Sequence, residues 1–209
     1  LQQAMDLETG PDGAVPGPDL RLRLAALMHD IGKPATRRFM PDGTVTFHAH
    51  DYVGARMTAK RMRALHFDKQ TIKDVSRLVE LHLRFHGYAD SPWSDSAVRR
   101  YVTDAGPLLA RLGCLTRADV TTGNRRKAAM LSHAYDDLER RIEALRQQEE
   151  LASIRPELDG QEIMAELGIK PGPEVGKAYK FLLDLRMERG PIGKELAREA
   201  LHSWWATQQ

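Results

Sequence analysis

His29 and Asp30 stand side by side in LAALMHDIGKPAT, Leu24–Thr36, and their types are those of metal ligands and general bases. An adjacent His-Asp pair also arises by chance in a chain of this length, so the surroundings decide. The stretch before them is apolar, and a carboxylate at the end of a buried helix is driven either to take up a proton or to hold a cation. Neighbouring side chains on a helix diverge by about 100°. Both therefore reach one ion only if it lies beside a helix end, and Gly32-Lys33-Pro34 provides that end. Downstream, His48 and His50 open a helix in FHAHDYVGA, and His82 and His86 lie four apart. These last two continue the apolar stripe Ile72, Val75, Val79 and are read as pointing inward. Asp119 lies in LTRADVTTGN, away from any obvious partner in sequence. A lone inward histidine is more often a satisfied core residue, and His66, His133 and His202 take that reading. Several His and Asp positions in one helical domain favour another chemistry. Mixed imidazole and carboxylate donors suit a catalytic transition metal, or a pair of ions bridging a phosphate and its attacking water.

The elements that must position these residues are nearly all helical. Asp19 is a cap for a helix over Leu20–Ile31, apolar on most sides and hence expected to be buried, and Gly32 and Pro34 end it. TRRFMPDGTVTF alternates around Pro-Asp-Gly and predicts a short β-hairpin. Helices follow at about Ala49–Leu65, Lys69–Phe85, Ser94–Val102 and Leu108–Arg117. A longer one runs from Arg125 to about Glu150, with apolar Ala128, Leu131, Tyr135, Leu138, Ile142 and Leu145. Asp136–Arg140 and Asp137–Arg141 are spaced as i,i+4 pairs on it. Around SIRPELDG the composition shifts. Beyond it, Asp159 with Glu162 predicts a capping box, Gly168 a helix end, Pro173 the first residue of a further helix, and GKELAREALHSWWATQQ a final one. The reading is all-α, a helical bundle with one short hairpin over residues 1–152 and a helical tail over 153–209.

Bulk properties narrow the partners. The 209 residues carry 31 Lys and Arg against 29 Asp and Glu, a net charge of +2, so any nucleic-acid footprint must be local. One cysteine, Cys114, excludes an internal disulfide and suits a reducing, cytoplasmic setting. No apolar run approaches the roughly 18 residues of a membrane span. The chain opens without Met, in what reads as the end of a helix (LQQAMDLETG), as a fragment would.

HDIGKP, then HAHDYVGA, LVELHLRFH and LTRADVTT resemble, in that order, the HD phosphohydrolase domain. That resemblance implies an all-α fold and one or two divalent metals (Mn, Ni, Co, Fe or Mg). It places ligands on His29, Asp30 and Asp119, with His50 and His82 for a second ion, while the family's first histidine would fall upstream of Leu1. Lys33, by its position, would stabilise developing charge. GARMTAKRMRALHF, ADVTTGNRRKA and LDGQEIMAELGIKPGPEVGKAYKFLLDL further resemble the C-terminal region of bacterial CCA-adding tRNA nucleotidyltransferases of the poly(A) polymerase-like class. In that family, transfer uses ATP, CTP and Mg²⁺ at an N-terminal head with a Gly-Ser loop and a D-x-D pair. The pattern is absent here, so the resemblance implies only the tRNA-holding body and tail plus the HD site.

Basic stretches fit that implication. Tyr52–Phe67 holds no acidic residue, and Arg56, Lys60 and Arg63 share one helical face with Arg61 beside them, a stripe suited to a phosphate backbone. Arg125, Arg126 and Lys127 open the long helix. In GIKPGPEVG a helix start offers free N–H groups, and Gly176 within the helix suggests close packing. Trp204 and Trp205 offer stacking surfaces but are more often core. Two other functions remain open at the level of sequence, a free-standing HD phosphohydrolase and an RNA-binding module with a vestigial site. The metal, the phosphoester and the oligomeric state are not legible.

Overall fold

The computed structural model describes residues 18–91, 93–119, 124–149 and 154–208. The opening half-helix read over Leu1–Leu7 lies outside them. The chain divides into two compact units, one of described residues before Pro92 with 105–138, the other of 93–104 with 139 onward.

The first unit begins at α1 (Leu20–Met28), which Asp19 caps by accepting the Leu22 N–H at 2.8 Å. A short α2 (Lys33–Thr36) follows, then the hairpin β1 (Arg38–Phe39) and β2 (Val45–Thr46), paired antiparallel as Arg38 with Thr46 and Phe39 with Val45. Next come α3 (His50–Ala64), α4 (Lys69–Leu81) and a short α5 (His86–Asp90). The helix α6 (Asp95–Ala105) leads through a 3-10 turn at Gly106–Leu108 into α7 (Leu109–Ala118). The long α8 (Arg125–Glu149) has residues in both units. Its buried positions Leu131, Tyr135, Leu138, Ile142 and Leu145 are those its periodicity marks.

Helix α4 carries the core of the first unit. Its Ile72, Val75, Leu78, Val79 and Leu81 are buried on one stripe, each contributing on the order of 1.5–3 kcal/mol by leaving water. Arg21 of α1 reaches Asp74 of α4 at 2.8 Å, and Arg111 of α7 forks onto Asp19 with its closest contact at 2.7 Å. The expectation that α1 is buried all round is corrected, since Leu20 and Leu27 are 58% and 66% exposed. The residues expected to pair along α8 also reach other elements. Asp136 takes Arg117 of α7 at 2.7 Å, Asp137 accepts from Tyr88, and Arg141 bonds the Trp93 carbonyl and Asp95. A cross-element partner fixes two elements at once, whereas an i,i+4 pair is worth only about 0.2–0.5 kcal/mol.

The second unit packs α9 (Gly160–Leu167), α10 (Pro173–Arg189) and α11 (Lys194–Ala206) around Leu158, Ile163, Ala178, Leu182, Ala197 and Leu201. Asp159 and Glu162 form the expected capping box, and Gly168 ends α9 in the left-handed conformation. Within this unit the buried Arg99 of α6 donates to the Met187 carbonyl at 3.0 Å, closing the last turn of α10.

Candidate metal centre

The centre is built where helices stop. α1 ends at Met28, three residues earlier than expected, because the Ile31 and Lys33 N–H groups turn back to Met28 and Asp30 at 3.0 Å each. His29 is left as the C-cap, with Asp30 just beyond it. The turn then lies directly on the first turn of α3. A Cβ at Gly32 would sit 2.2 Å from the His50 carbonyl oxygen and 2.8 Å from the Gly54 nitrogen, so nothing larger than hydrogen fits. Ala49 starts α3 from the left-handed region, φ 58°, which costs a residue with a Cβ about 1–2 kcal/mol. That strain sits one residue before His50. His82 is the C-cap of α4 and is fully buried.

Each of these three histidines donates its Nδ1–H to the carbonyl three residues earlier. His29 reaches Ala26 at 2.8 Å, His50 reaches Phe47 at 2.9 Å and His82 reaches Val79 at 2.6 Å. A carbonyl only accepts, so the proton is fixed on Nδ1 and Nε2 faces the centre. The His82 ring lies edge-on to both others, with centroids 5.4 Å from His29 and 5.3 Å from His50. The Nε2 atoms of His50 and His82 are buried without a hydrogen-bond partner among the described residues. Asp30 Oδ1 is 3.4 Å from His50 Nε2, and its Oδ2 is 3.4 Å from His29 Nε2 and 2.7 Å from Lys33 Nζ. Asp119, the C-cap of α7, lies 3.1 Å from His29 Nε2.

Asp30, His50 and His82 bring one ligand atom each to within 4.8 Å of one another, a set able to hold a metal ion. Two imidazole nitrogens and a carboxylate oxygen, with His29 and Asp119 adjoining, suit a borderline first-row divalent ion. Orphaned Nε2 atoms aimed at a common centre point the same way, since a buried acceptor left unmade is costly. The electrostatics agree. The hydrogen bond to Asp119 raises the His29 pKa against the pull of burial, with Asp30 adding to it. Burial alone would raise the Asp119 carboxyl, but the His29 hydrogen bond and charge outweigh it and hold it below the usual carboxylate value. Burial lowers the His82 pKa, keeping that ring neutral and its lone pair available.

Two candidates are not among the converging ligand atoms, although the His86 charge still acts on Asp119. His48 is exposed, and so is His86. Helix α4 stops at Leu81, so the i,i+4 stripe that would have turned His86 inward is broken before it arrives. His66, His133 and His202 are exposed as well and not core; His202 sits 3.4 Å from Glu166. The sequence carried no sign of the three carbonyl acceptors or of the left-handed Ala49. The spacing of Gly54 from His50 was the one visible trace of the close backbone approach at Gly32.

Arg56, Lys60, Arg61 and Arg63 are exposed on α3. Three of them, with Val53 and Met57, line a shallow trough of about 550 Å³. Arg125, Arg126 and Lys127 are exposed at the start of α8, where Asn124 Oδ1 accepts the Arg126 and Lys127 N–H groups at 3.0 and 3.2 Å. In the tail, Trp204 stacks on Phe181 at 5.0 Å against the core, while Trp205 is half-buried. The close packing expected at Gly176 is not there; a Cβ added to it would meet nothing within 4 Å.

The HD-domain family matches residues 3–124. The chain is also similar to the CC-adding tRNA nucleotidyltransferase of Thermus thermophilus, 38% identical over 193 residues, covering 90% of this chain and 41% of that protein. To the A-adding tRNA nucleotidyltransferase of Deinococcus radiodurans it is 35% identical over 196 residues, covering 92% of this chain and 43% of that protein. The chain thus spans less than half the length of these relatives. No helix among the described residues is long and apolar enough to cross a membrane.

Proposed function

The chain belongs to the HD-domain family, and from that premise we propose that it is the HD-and-tail part of a tRNA nucleotidyltransferase, which holds tRNA and carries a metal-dependent phosphohydrolase centre. The observation that carries the centre is the convergence of Asp30, His50 and His82 with bare Nε2 atoms, backed by His29 and Asp119. The observation that carries tRNA is the pair of similarities, which cover about nine-tenths of this chain in proteins named for adding CC and A. A region shared about equally with a CC-adding and an A-adding enzyme serves what they have in common. It holds the tRNA and does not choose the nucleotide. That reading also ranks above a free-standing phosphohydrolase, because a match over about nine-tenths of the chain must take in most of the tail, residues 153–209. Addition itself, with ATP, CTP and Mg²⁺, belongs to a head outside this sequence, in the cytoplasm.

At the HD centre, His50, His82 and Asp30 would hold the ion, with His29 and Asp119 completing its surroundings. Lewis-acid activation of a phosphoryl group and of its attacking water is the chemistry that such an ion supplies. The main-chain bonds at Nδ1 orient each imidazole before anything binds. Asp119 lies 3.1 Å from His29 Nε2 and, kept ionised by that neighbour, favours the protonated form of His29. Lys33, now on Asp30, is within reach of charge that builds on a phosphoryl oxygen. On α3, Arg56, Lys60, Arg61 and Arg63 would take tRNA phosphates, with Arg125, Arg126 and Lys127 as a second contact.

The test is metal content after loading the purified chain with Mn²⁺, Ni²⁺ or Co²⁺, beside an Asp30→Ala control, followed by phosphodiester hydrolysis. Stoichiometric metal lost with Asp30 supports the centre. No metal in either protein sinks it and leaves an RNA-binding module. For tRNA, the salt dependence of binding decides. Each phosphate contact removed by Arg56→Gln, Lys60→Gln or Arg63→Gln should flatten the log–log slope by about 0.7–0.9, and an unchanged slope removes α3 from the interface.

A further inference from the structure

The hairpin β1–β2 is rooted on the metal centre at both ends. It leaves through α2, whose Lys33 is bonded to Asp30, and returns through Phe47, whose carbonyl fixes the His50 ring. The Lys33 ammonium also lies 5.8 Å from the Phe47 ring centroid, tying the two roots together. Its faces are inverted relative to an ordinary two-stranded ribbon, in which the apolar face is covered. The cross-strand pair Phe39 and Val45 is 72% and 42% exposed, while Thr46 on the other face is half-buried. Arg37 lies over the Phe39 ring at 5.4 Å, exposed and without a carboxylate partner among the described residues, while Arg38, paired with Thr46, belongs to the opposite face of the strand. The one acid in the hairpin, Asp42, is turned onto Thr44 at the tip by two hydrogen bonds.

We propose that this hairpin is a recognition flap for the nucleobase of the phosphoester whose phosphate binds at the HD centre, with Phe39 as the stacking platform. The inference rests on the phosphohydrolase reading above. Val45 lies two residues from Phe47 and Phe39 three from Thr36, so at ~3.3 Å per residue the Phe39–Val45 pair stands within about 10 Å of the roots. That is the reach of a nucleotide between its phosphate and the far edge of its base. An exposed aromatic ring with the Arg37 guanidinium over it suits a flat, electron-rich base on an anionic backbone, and stacking tolerates any base. A protein segment of ordinary composition would gain nothing from the unpaired Arg37 cation at the ring.

The experiment measures binding calorimetrically, using the full chain loaded with Mn²⁺ and, as probes, AMP, inorganic phosphate and a short RNA ending in a 3′-phosphate. Phe39→Ala should weaken AMP or the RNA about tenfold, a stacking contribution of ordinary size, and leave inorganic phosphate unchanged. Phe39→Trp should restore the affinity. Loss with AMP and RNA alike makes any nucleotide the ligand, and loss with the RNA alone makes it an RNA end; both uphold the flap. Phosphate binding with unchanged AMP and RNA affinity overturns the flap alone, as does an equal loss for all three probes, which would make Phe39 a support of the centre. Wild-type protein that binds none of the probes overturns the flap together with the phosphohydrolase reading.

Discussion

Replacing Gly32 with alanine adds one methyl group whose surroundings the structure fixes. It would lie 2.2 Å from the His50 carbonyl oxygen, 2.8 Å from the Gly54 nitrogen and 3.0 Å from the His50 carbonyl carbon. Carbon atoms in comfortable contact sit at ~3.5–4.0 Å, so the turn and the first turn of α3 must separate by about 1 Å. All three neighbours are main chain, and no side chain can swing aside. Overpacking of this kind costs up to about 3 kcal/mol. With about 2–4 °C of melting temperature for each kcal/mol in a chain of this size, thermal unfolding should come roughly 6–12 °C earlier. His50 moves with α3, while Asp30 stays with the turn, so Mn²⁺ affinity measured by calorimetry should fall by more than the loss of stability explains, even well below the melting transition. Gly54→Ala is the comparator. Its added carbon meets Gly32 N at 3.3 Å and the Val79 side chain at 3.4 Å, which a few tenths of an ångström relieve. If Gly32→Ala melts and binds Mn²⁺ as the wild type does, the close backbone approach is not what places His50.

Three further outcomes are expected. Asp19→Asn keeps the cap on Leu22 but breaks the ion pair with Arg111, leaving that guanidinium half-buried and costing about 3 kcal/mol by urea unfolding at pH 7. Burial works to raise the Asp19 pKa, yet Arg111 and the Leu22 N–H hold it below 3.8. The pair's contribution is therefore full above about pH 4 and lost as pH falls through the lower folded value, so the gap between wild type and variant should close in acid. His82→Leu removes a buried Nε2 that has no partner, and should change stability by no more than about 1 kcal/mol while abolishing stoichiometric Mn²⁺; a large loss of stability with metal retained would contradict the assignment. Ala49→Gly relieves the left-handed strain before His50 and should raise the melting temperature slightly without changing metal affinity, whereas a fall in stability would mean the strain is absent.

The fold was largely legible because its signals are local. Asp19, the box of Asp159 with Glu162, Pro173 and the stripe of α8 each act within a few residues, and the structure has them as expected. The resemblance named His29, Asp30 and Asp119 for a first ion and His50 and His82 for a second, whereas the ligand atoms that converge are those of Asp30, His50 and His82; His48 and His86 were not separable from them by type. What decides that separation is where α4 stops, and no cap residue marks Leu81. The burial expected of α1 failed because composition says how apolar a helix is and not which face meets the core. The long-range pairs, Arg21 with Asp74 and Arg117 with Asp136, could not be read because residues adjacent in space are far apart in the chain.

The three histidines share one further property. Each ring is held at Nδ1 by its own helix or turn, through a carbonyl three positions back, and His29 meets a carboxylate, Asp119, only at its other nitrogen. In many metal centres the orienting partners are side chains, and substituting them retunes the ion. Here the orienting groups are part of the main chain and no substitution can delete them. The ligand set is thus insulated from drift in the residues around it. Its geometry changes only when a helix end moves, so the turns at Gly32, Ala49 and Leu81 are where this centre is open to alteration.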